Sequence, residues 1–219
     1  MSCTLCEVRK EKRFCLAVHG RICPQCCGEA REVTLDCPSD CVYLQQSRQF
    51  ERPRSIHDLD QSGLFPEIAI PQQFVYDREP LIGALSFALA KVGRQDRALH
   101  DRDLIAALTA VAKTYQTLVS SGLVYEAAAP LAQQHAVIDE LQKMIAGFRE
   151  SEQKHLGYHT LKDGEALQAL VFLLRLAATR TSGRPRSRAF LDFLTEQFPE
   201  KESSLLAAPE PSAGRIIMP

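Results

Sequence analysis

Residues 1–41 read MSCTLCEVRKEKRFCLAVHGRICPQCCGEAREVTLDCPSDC and contain all eight cysteines of this 219-residue chain. Cysteines spaced two or three residues apart can direct their thiolates at one tetrahedral ion, and zinc is the usual ion for four such ligands. Eight thiolates complete two shells of this kind. We therefore predict a small module with two structural zinc ions. The expected ligands are Cys3, Cys6, Cys15, Cys23, Cys26, Cys27, Cys37 and Cys41.

The spacing leaves the pairing of the cysteines open. A cross-braced module would use Cys3, Cys6, Cys23 and Cys26 for one ion and Cys15, Cys27, Cys37 and Cys41 for the other. His19 follows Cys15 by four residues, so it is either a substitute ligand at the second site or an exposed loop side chain. Closed shells leave no position for water or substrate. We expect the ions to fold a segment that is too short to build its own core.

Other interpretations of the cysteines fit less well. Disulfides form in oxidising compartments, and the opening residues MSCTLC lack the apolar run of a signal peptide, so we expect a cytoplasmic protein. An iron–sulfur cluster would use four of the eight thiolates and leave the others unexplained. A redox dithiol at Cys23 and Cys26 belongs in a βαβ unit, which this sequence does not predict.

Two segments carry a resemblance to other proteins. The runs ICPQCCGEARE from Ile22 and DCPSDCVYL from Asp36 resemble the N-terminal signature of a group of uncharacterised bacterial proteins that pair a cysteine-rich zinc finger with a helical domain. The run GRPRSRAFL, residues 183–191, resembles a later segment of the same group. The ligand logic is also similar to that of the binuclear RING, MYND and B-box fingers, which mostly mediate protein contacts. The resemblance implies a partner protein.

Beyond the cysteines the sequence predicts a mainly α protein. Apolar side chains recur at helical spacing from residue 81 onward, which indicates an all-α helical bundle of about five helices. We expect Gly93, Gly122 and Gly157 at or just beyond helix ends. The segment 166–178 is the most apolar, but a bilayer span needs about 20 residues, so it predicts a central core helix. The expected helix starts are Leu81, Asp101, Pro130, Asp163 and Pro185.

Proline and glycine residues, which interrupt helices and strands, and shifts in composition divide the chain into four predicted parts. Residues 1–52 form the binuclear all-cysteine zinc-finger module, which ends in a short helix that presents Cys41. Residues 53–80 are interrupted by five punctuating residues and predict an extended linker that wraps the bundle, with one or two short strands at 66–77 as the alternative. The bundle follows at 81–199 and a flexible tail at 200–219.

Neither composition nor motifs favour an enzyme. A net charge of −1 and a hydrophobic fraction of 45% are typical of an ordinary globular protein. The sequence has no phosphate-binding glycine loop and no nucleophile elbow. A Glu152-x2-His155 pair near His159 occurs once, whereas di-iron bundles need two copies. A pair formed by His135 and Asp139 is more consistent with a solvated helix face.

Two basic patches, at 9–21 and 180–188, make nucleic acid an alternative partner. The second patch lies at the start of the predicted fifth helix, where N–H groups and the helix dipole favour anions. However, the chain as a whole is nearly neutral. We therefore expect a zinc-stabilised, non-enzymatic adaptor that binds another protein and no membrane, with a nucleic-acid-binding regulator as the alternative. The candidate anion-binding residues are Arg9, Lys10, Lys12, Arg13, Arg184, Arg186 and Arg188.

Overall fold

A computed structural model describes residues 1–51, 54–124 and 131–199. Eight α-helices and one two-stranded sheet lie in these ranges, so the expectation of a mainly helical protein is confirmed. The tail expected at 200–219 lies outside the described residues, as does the predicted helix start at Pro130.

The cysteine module begins with a hairpin and ends with a helix. Strands β1 (Arg13–Cys15) and β2 (Gly20–Ile22) pair antiparallel and are followed by helix α1 (Pro24–Ala30). Pro24 suits the first turn of α1 because a proline there loses no helical hydrogen bond. Helix α2 (Val42–Phe50) closes the module, and Cys41 is its N-cap residue.

The segment between the module and the bundle runs along the bundle surface. Leu64 and Phe65 are buried in the core of the bundle. Arg175 donates hydrogen bonds to the carbonyl oxygens of Leu64 and Ile68, each at 3.0 Å. These bonds satisfy two backbone carbonyls in a segment that lies outside regular secondary structure. The predicted alternative of strands at 66–77 is wrong, because residues Gln72–Asp77 form helix α3 after Pro71.

Five helices form the bundle, and their apolar faces meet in one core. Helix α5 (Asp101–Ser121) packs along α7 (Asp163–Arg180), while α4 (Glu79–Gln95) packs along α6 (Ala132–Leu156) and α8 (Ala189–Gln197). Leu170, Leu173 and Leu174 of α7 are fully buried, as expected for the central helix. Gly122 and Gly157 end α5 and α6 in the left-handed conformation, with φ of 70° and 81°.

Two predicted helix boundaries, the end of α4 and the start of α8, are wrong. Helix α4 continues through Gly93 to Gln95, and a Cβ on Gly93 would lie 2.4 Å from Leu191 Cδ2. This glycine therefore allows α8 to approach α4 closely. Helix α8 begins at Ala189 rather than near Pro185, because residues 181–188 form a loop. The backbone of that loop is held at Ser187, whose carbonyl oxygen accepts the N–H of Asp101 at 2.8 Å.

Candidate metal centre

The structure gathers four cysteines into one cluster. The Sγ atoms of Cys3, Cys6, Cys23 and Cys26 all lie within 4.8 Å of one another. Cys3 and Cys6 come from the N-terminal turn, whereas Cys23 is the N-cap of α1 and Cys26 lies in its first turn. Zinc–sulfur bonds of about 2.3 Å imply sulfur–sulfur separations of about 3.8 Å in a tetrahedron, so a small contraction would complete the shell. These four residues fit a zinc ion.

Backbone N–H groups point at these sulfur atoms and favour their ionised form. The N–H of Cys23 donates to Cys3 Sγ at 3.2 Å, and the N–H of Cys26 donates to Cys23 Sγ at 3.4 Å. Burial opposes the ionisation of Cys3, but hydrogen bonds from the backbone of Cys23, Cys6 and Leu5 lower its pKa to about 6. The pKa of Cys23 is also lowered, mainly by the Cys26 N–H. Thiolates are the form in which cysteine binds metal.

The pKa of Cys26 is shifted in the opposite direction from those of Cys3 and Cys23. Its hydrogen bond to Cys23, together with burial, raises the pKa of Cys26 to about 12. Crowded thiols therefore retain a proton in the cluster, and a divalent cation would displace that proton on binding.

A cation from the module faces the cluster. Arg9 Nη1 lies 3.6 Å from Cys23 Sγ and 3.8 Å from Cys26 Sγ, and its pKa is raised by the hydrogen bond to Cys23. A tetrathiolate zinc centre carries a formal charge of −2, so a guanidinium at this position offsets excess negative charge. The sequence suggested Arg9 as an external anion-binding residue, and its place three residues after Cys6 is the one signal that could have indicated this internal contact.

The second predicted set of cysteines is less closely gathered. Within the described residues, Cys15, Cys27, Cys37 and Cys41 do not form a group that meets the 4.8 Å separation. They nevertheless belong to the same module, where Cys15 and Cys27 are buried. Burial raises the pKa of Cys37, and a hydrogen bond from the backbone of Glu32 opposes this rise. Negative charge on Cys41 and Cys15 raises the pKa of Cys37 further, so these sulfur atoms are near enough to interact electrostatically. His19 is exposed in the hairpin turn, with φ of 48°.

The last turn of α1 and the loop that follows it contact the bundle. We call these residues, 28–36, the docking loop. Arg184 Nη1 donates to the carbonyl oxygens of Gly28 at 3.2 Å and Arg31 at 2.7 Å. The backbone N–H of Arg186 donates to Glu32 O at 2.8 Å, and its guanidinium pairs with Asp36. Two of the predicted anion-binding arginines thus bind groups of this chain.

A buried ion-pair network continues this interface. Arg48 on α2 lies between two carboxylates, at 3.0 Å from Glu32 Oε1 and 2.7 Å from Asp192 Oδ2. Glu32 also accepts a hydrogen bond from Ser182 Oγ at 2.9 Å and has a φ of 51°, in the left-handed region. Burial raises the pKa of Asp192, while Arg48 opposes that rise. No local sequence pattern indicates this triad, because Asp192 lies 144 positions after Arg48.

Arg188, the third predicted anion-binding arginine of the second patch, also binds groups of this chain. Arg188 donates to the carbonyl oxygens of Gly93 at 2.8 Å and Arg97 at 2.9 Å, at the end of α4. The anion at the N-terminus of α8 is the carboxylate of Asp101, which accepts the N–H groups of Phe190 at 3.2 Å and Leu191 at 3.1 Å. This helix terminus is therefore already satisfied within the chain.

Other candidate residues have different surroundings. Lys10 and Lys12 are exposed, whereas the Arg13 guanidinium lies 4.6 Å from the centre of the Tyr43 ring. Glu152 accepts hydrogen bonds from the backbone N–H groups of Thr160 at 2.7 Å and Leu161 at 3.0 Å, so it holds the turn before α7. This contact accounts for the Glu152 carboxylate without a metal ion.

No protein-family model, curated protein or solved structure matches this chain. None of the described helices combines the length and apolar character needed to cross a bilayer.

Proposed function

We propose that the N-terminal module is a zinc-stabilised recognition module and that the protein is a non-enzymatic adaptor that binds another protein. One zinc ion would be held by Cys3, Cys6, Cys23 and Cys26. A second would be held by Cys15, Cys27, Cys37 and Cys41. The single observation that carries the proposal is the closed cluster of four thiols, because closed tetrathiolate sites are typical of structural zinc.

The surroundings of the cluster favour a structural role over a catalytic one. Cys3 and Cys23 are almost completely buried, and their sulfur atoms accept backbone hydrogen bonds. A catalytic zinc site keeps one position open for water or substrate, whereas four thiolates fill a tetrahedral shell. Zinc here would supply folding free energy to the module.

The interface with the bundle supports a protein partner over nucleic acid. Arg184, Arg186 and Arg188 contact backbone carbonyls and carboxylates of this chain, so these groups are not left to bind phosphates. Nucleic acid remains the second candidate because Lys10 and Lys12 are exposed near the hairpin.

The test is capture from cell extract by the immobilised, zinc-loaded full-length chain. We expect proteins that are retained after nuclease treatment and lost with the double variant Cys3→Ser, Cys6→Ser. Arg102→Gln, an exposed substitution on α5, is the matched control and should retain them. Retention that nuclease abolishes would favour the nucleic-acid alternative, and equal retention by the cysteine variant would overturn the role of the module.

A further inference from the structure

The module has one side that faces the bundle and one side that does not. In the ranges that the structure describes, hydrogen bonds and ion pairs from the module to the bundle come from the docking loop and from Arg48. The described hydrogen bonds and ion pairs of residues 1–22 stay within the module, as in the bond from Thr4 Oγ1 to Arg21 O at 2.7 Å. We call the surface of residues 1–22 the free face.

The free face exposes several large apolar side chains. Val8 is 86% exposed and Phe14 is 52% exposed, and Leu5 and Leu16 are also exposed. Isolated exposed apolar residues are common, but several within a short segment are typical of a contact surface. Phe14 lies on β1 between the partly buried Arg13 and the buried Cys15, so the alternation of the strand turns its side chain away from the cysteines.

Cations surround Phe14 on the same face of the hairpin. Phe14 pairs directly with Arg21 across the strands, and Lys12 lies two residues before Phe14, at the spacing that shares a face. Residues 1–22 contain five Lys or Arg and two Glu. Arg9 faces the thiols and Arg13 lies over the Tyr43 ring, so Lys10, Lys12 and Arg21 are the cations that remain for an external partner. One of the two acids, Glu11, lies 3.5 Å from Arg21 Nε and offsets part of its charge.

We propose that the free face binds an acidic segment of a partner protein in which apolar side chains are interspersed with carboxylates. The carboxylates would pair with Lys10, Lys12 and Arg21, and an apolar side chain would pack on Phe14. Charge complementarity brings such a segment to the surface, while the apolar contact provides most of its affinity. This inference rests on the proposed function, because it names the class of partner for the same module.

The test uses the full-length, zinc-loaded chain and a fluorescein-labelled peptide, Asp-Asp-Leu-Asp-Asp-Leu-Asp-Asp, measured by fluorescence anisotropy. A peptide with lysine in place of every aspartate and a labelled single-stranded DNA are the comparison probes. We expect the acidic peptide to bind and the lysine peptide not to bind. No binding of the acidic peptide, or tighter binding of the DNA, would overturn the inference.

Matched variants localise the contact. Lys12→Glu and Phe14→Ser should each weaken peptide binding about tenfold, a typical loss for an interface residue that contributes to affinity. Phe50→Ser removes an even more exposed aromatic from α2, outside the free face, and should leave the affinity unchanged. The zinc content of each variant, measured first, confirms that the module is folded. Equal losses in Lys12→Glu and Phe50→Ser would contradict the assigned surface.

The two proposals fail in different ways. If partner capture from extract requires the cysteines but is unchanged by Lys12→Glu and Phe14→Ser, the adaptor function stands and the free face is not its binding surface. If capture is independent of the cysteines, the adaptor function of the module itself is wrong.

Discussion

The bundle and the cysteine module differ in what fills their cores. In the bundle, leucine, alanine and valine side chains from α4 to α8 are packed together and buried. In the part of the chain that the structure describes, the buried core around the cysteines of the module is Ile22 with five cysteines, and Leu44 on α2 is also buried. Burial of apolar surface stabilises a fold by about 25 cal/mol per Å². The bundle buries many apolar side chains and gains much of its stability in this way, whereas the module buries few. If the cysteines hold zinc as proposed, the module would depend on that metal for its stability, whereas the bundle would not.

The interface between the two regions differs again, because it is mainly polar. Arg48, Arg184 and Arg186 join the module to the bundle through carboxylates and backbone carbonyls. Charged groups of this kind specify geometry, since each needs a partner at a defined position. These contacts fix the orientation of the module relative to the bundle.

The largest expected effect separates the two regions by metal dependence. Cys23→Ser removes one ligand from the cluster, and structural zinc sites contribute on the order of 10 kcal/mol of apparent binding free energy. In hydrogen-exchange mass spectrometry we expect the amides of β1, β2 and α1 to lose protection, while those of α5 and α7 keep theirs. Loss of protection throughout α5 and α7 would show that the bundle also depends on the metal.

A smaller effect is expected at the interface. Arg48→Ala leaves the Glu32 and Asp192 carboxylates without this cation. Removing one member of a fully buried ion pair costs about 3–5 kcal/mol, and we expect a smaller loss here because the Arg48 side chain is 22% exposed. We expect a lower midpoint of thermal unfolding and unchanged zinc content. Arg102→Ala on α5 is the control, since this side chain is exposed. A variant of Arg48 with an unchanged midpoint would mean that the network contributes nothing to docking.

The smallest effect concerns pH and the bundle alone. Burial opposes the ionisation of Glu152, but its hydrogen bonds from Thr160 and Leu161 prevail and lower its pKa. A lowered folded-state pKa contributes stability that is complete above the unfolded value of about 4.3 and is lost as pH falls through the folded value. We expect Glu152→Gln to flatten this acidic loss in denaturant titrations. An unaltered pH profile would show that the Glu152 carboxylate does not contribute to the pH dependence of stability.

Sequence patterns predicted local features well and long-range contacts poorly. Cysteine spacing predicted a metal-binding module, with Cys3, Cys6, Cys23 and Cys26 as one set in the cross-braced pairing that it left open. Helical periodicity predicted the bundle, because both signals are local. The role of Arg188 could not be read in this way, since its acceptor on Gly93 lies 95 positions earlier. The same limit explains Gly93, whose purpose depends on Leu191 in another helix.

Native mass spectrometry of the zinc-loaded chain tests the central claim most directly. We predict two zinc ions in the unaltered protein and in His19→Ala, and loss of at least one ion in Cys3→Ser. A protein that carries no zinc, or a Cys3→Ser variant with the same zinc content as the unaltered protein, would contradict the assignment of the four-cysteine cluster as the structural metal centre.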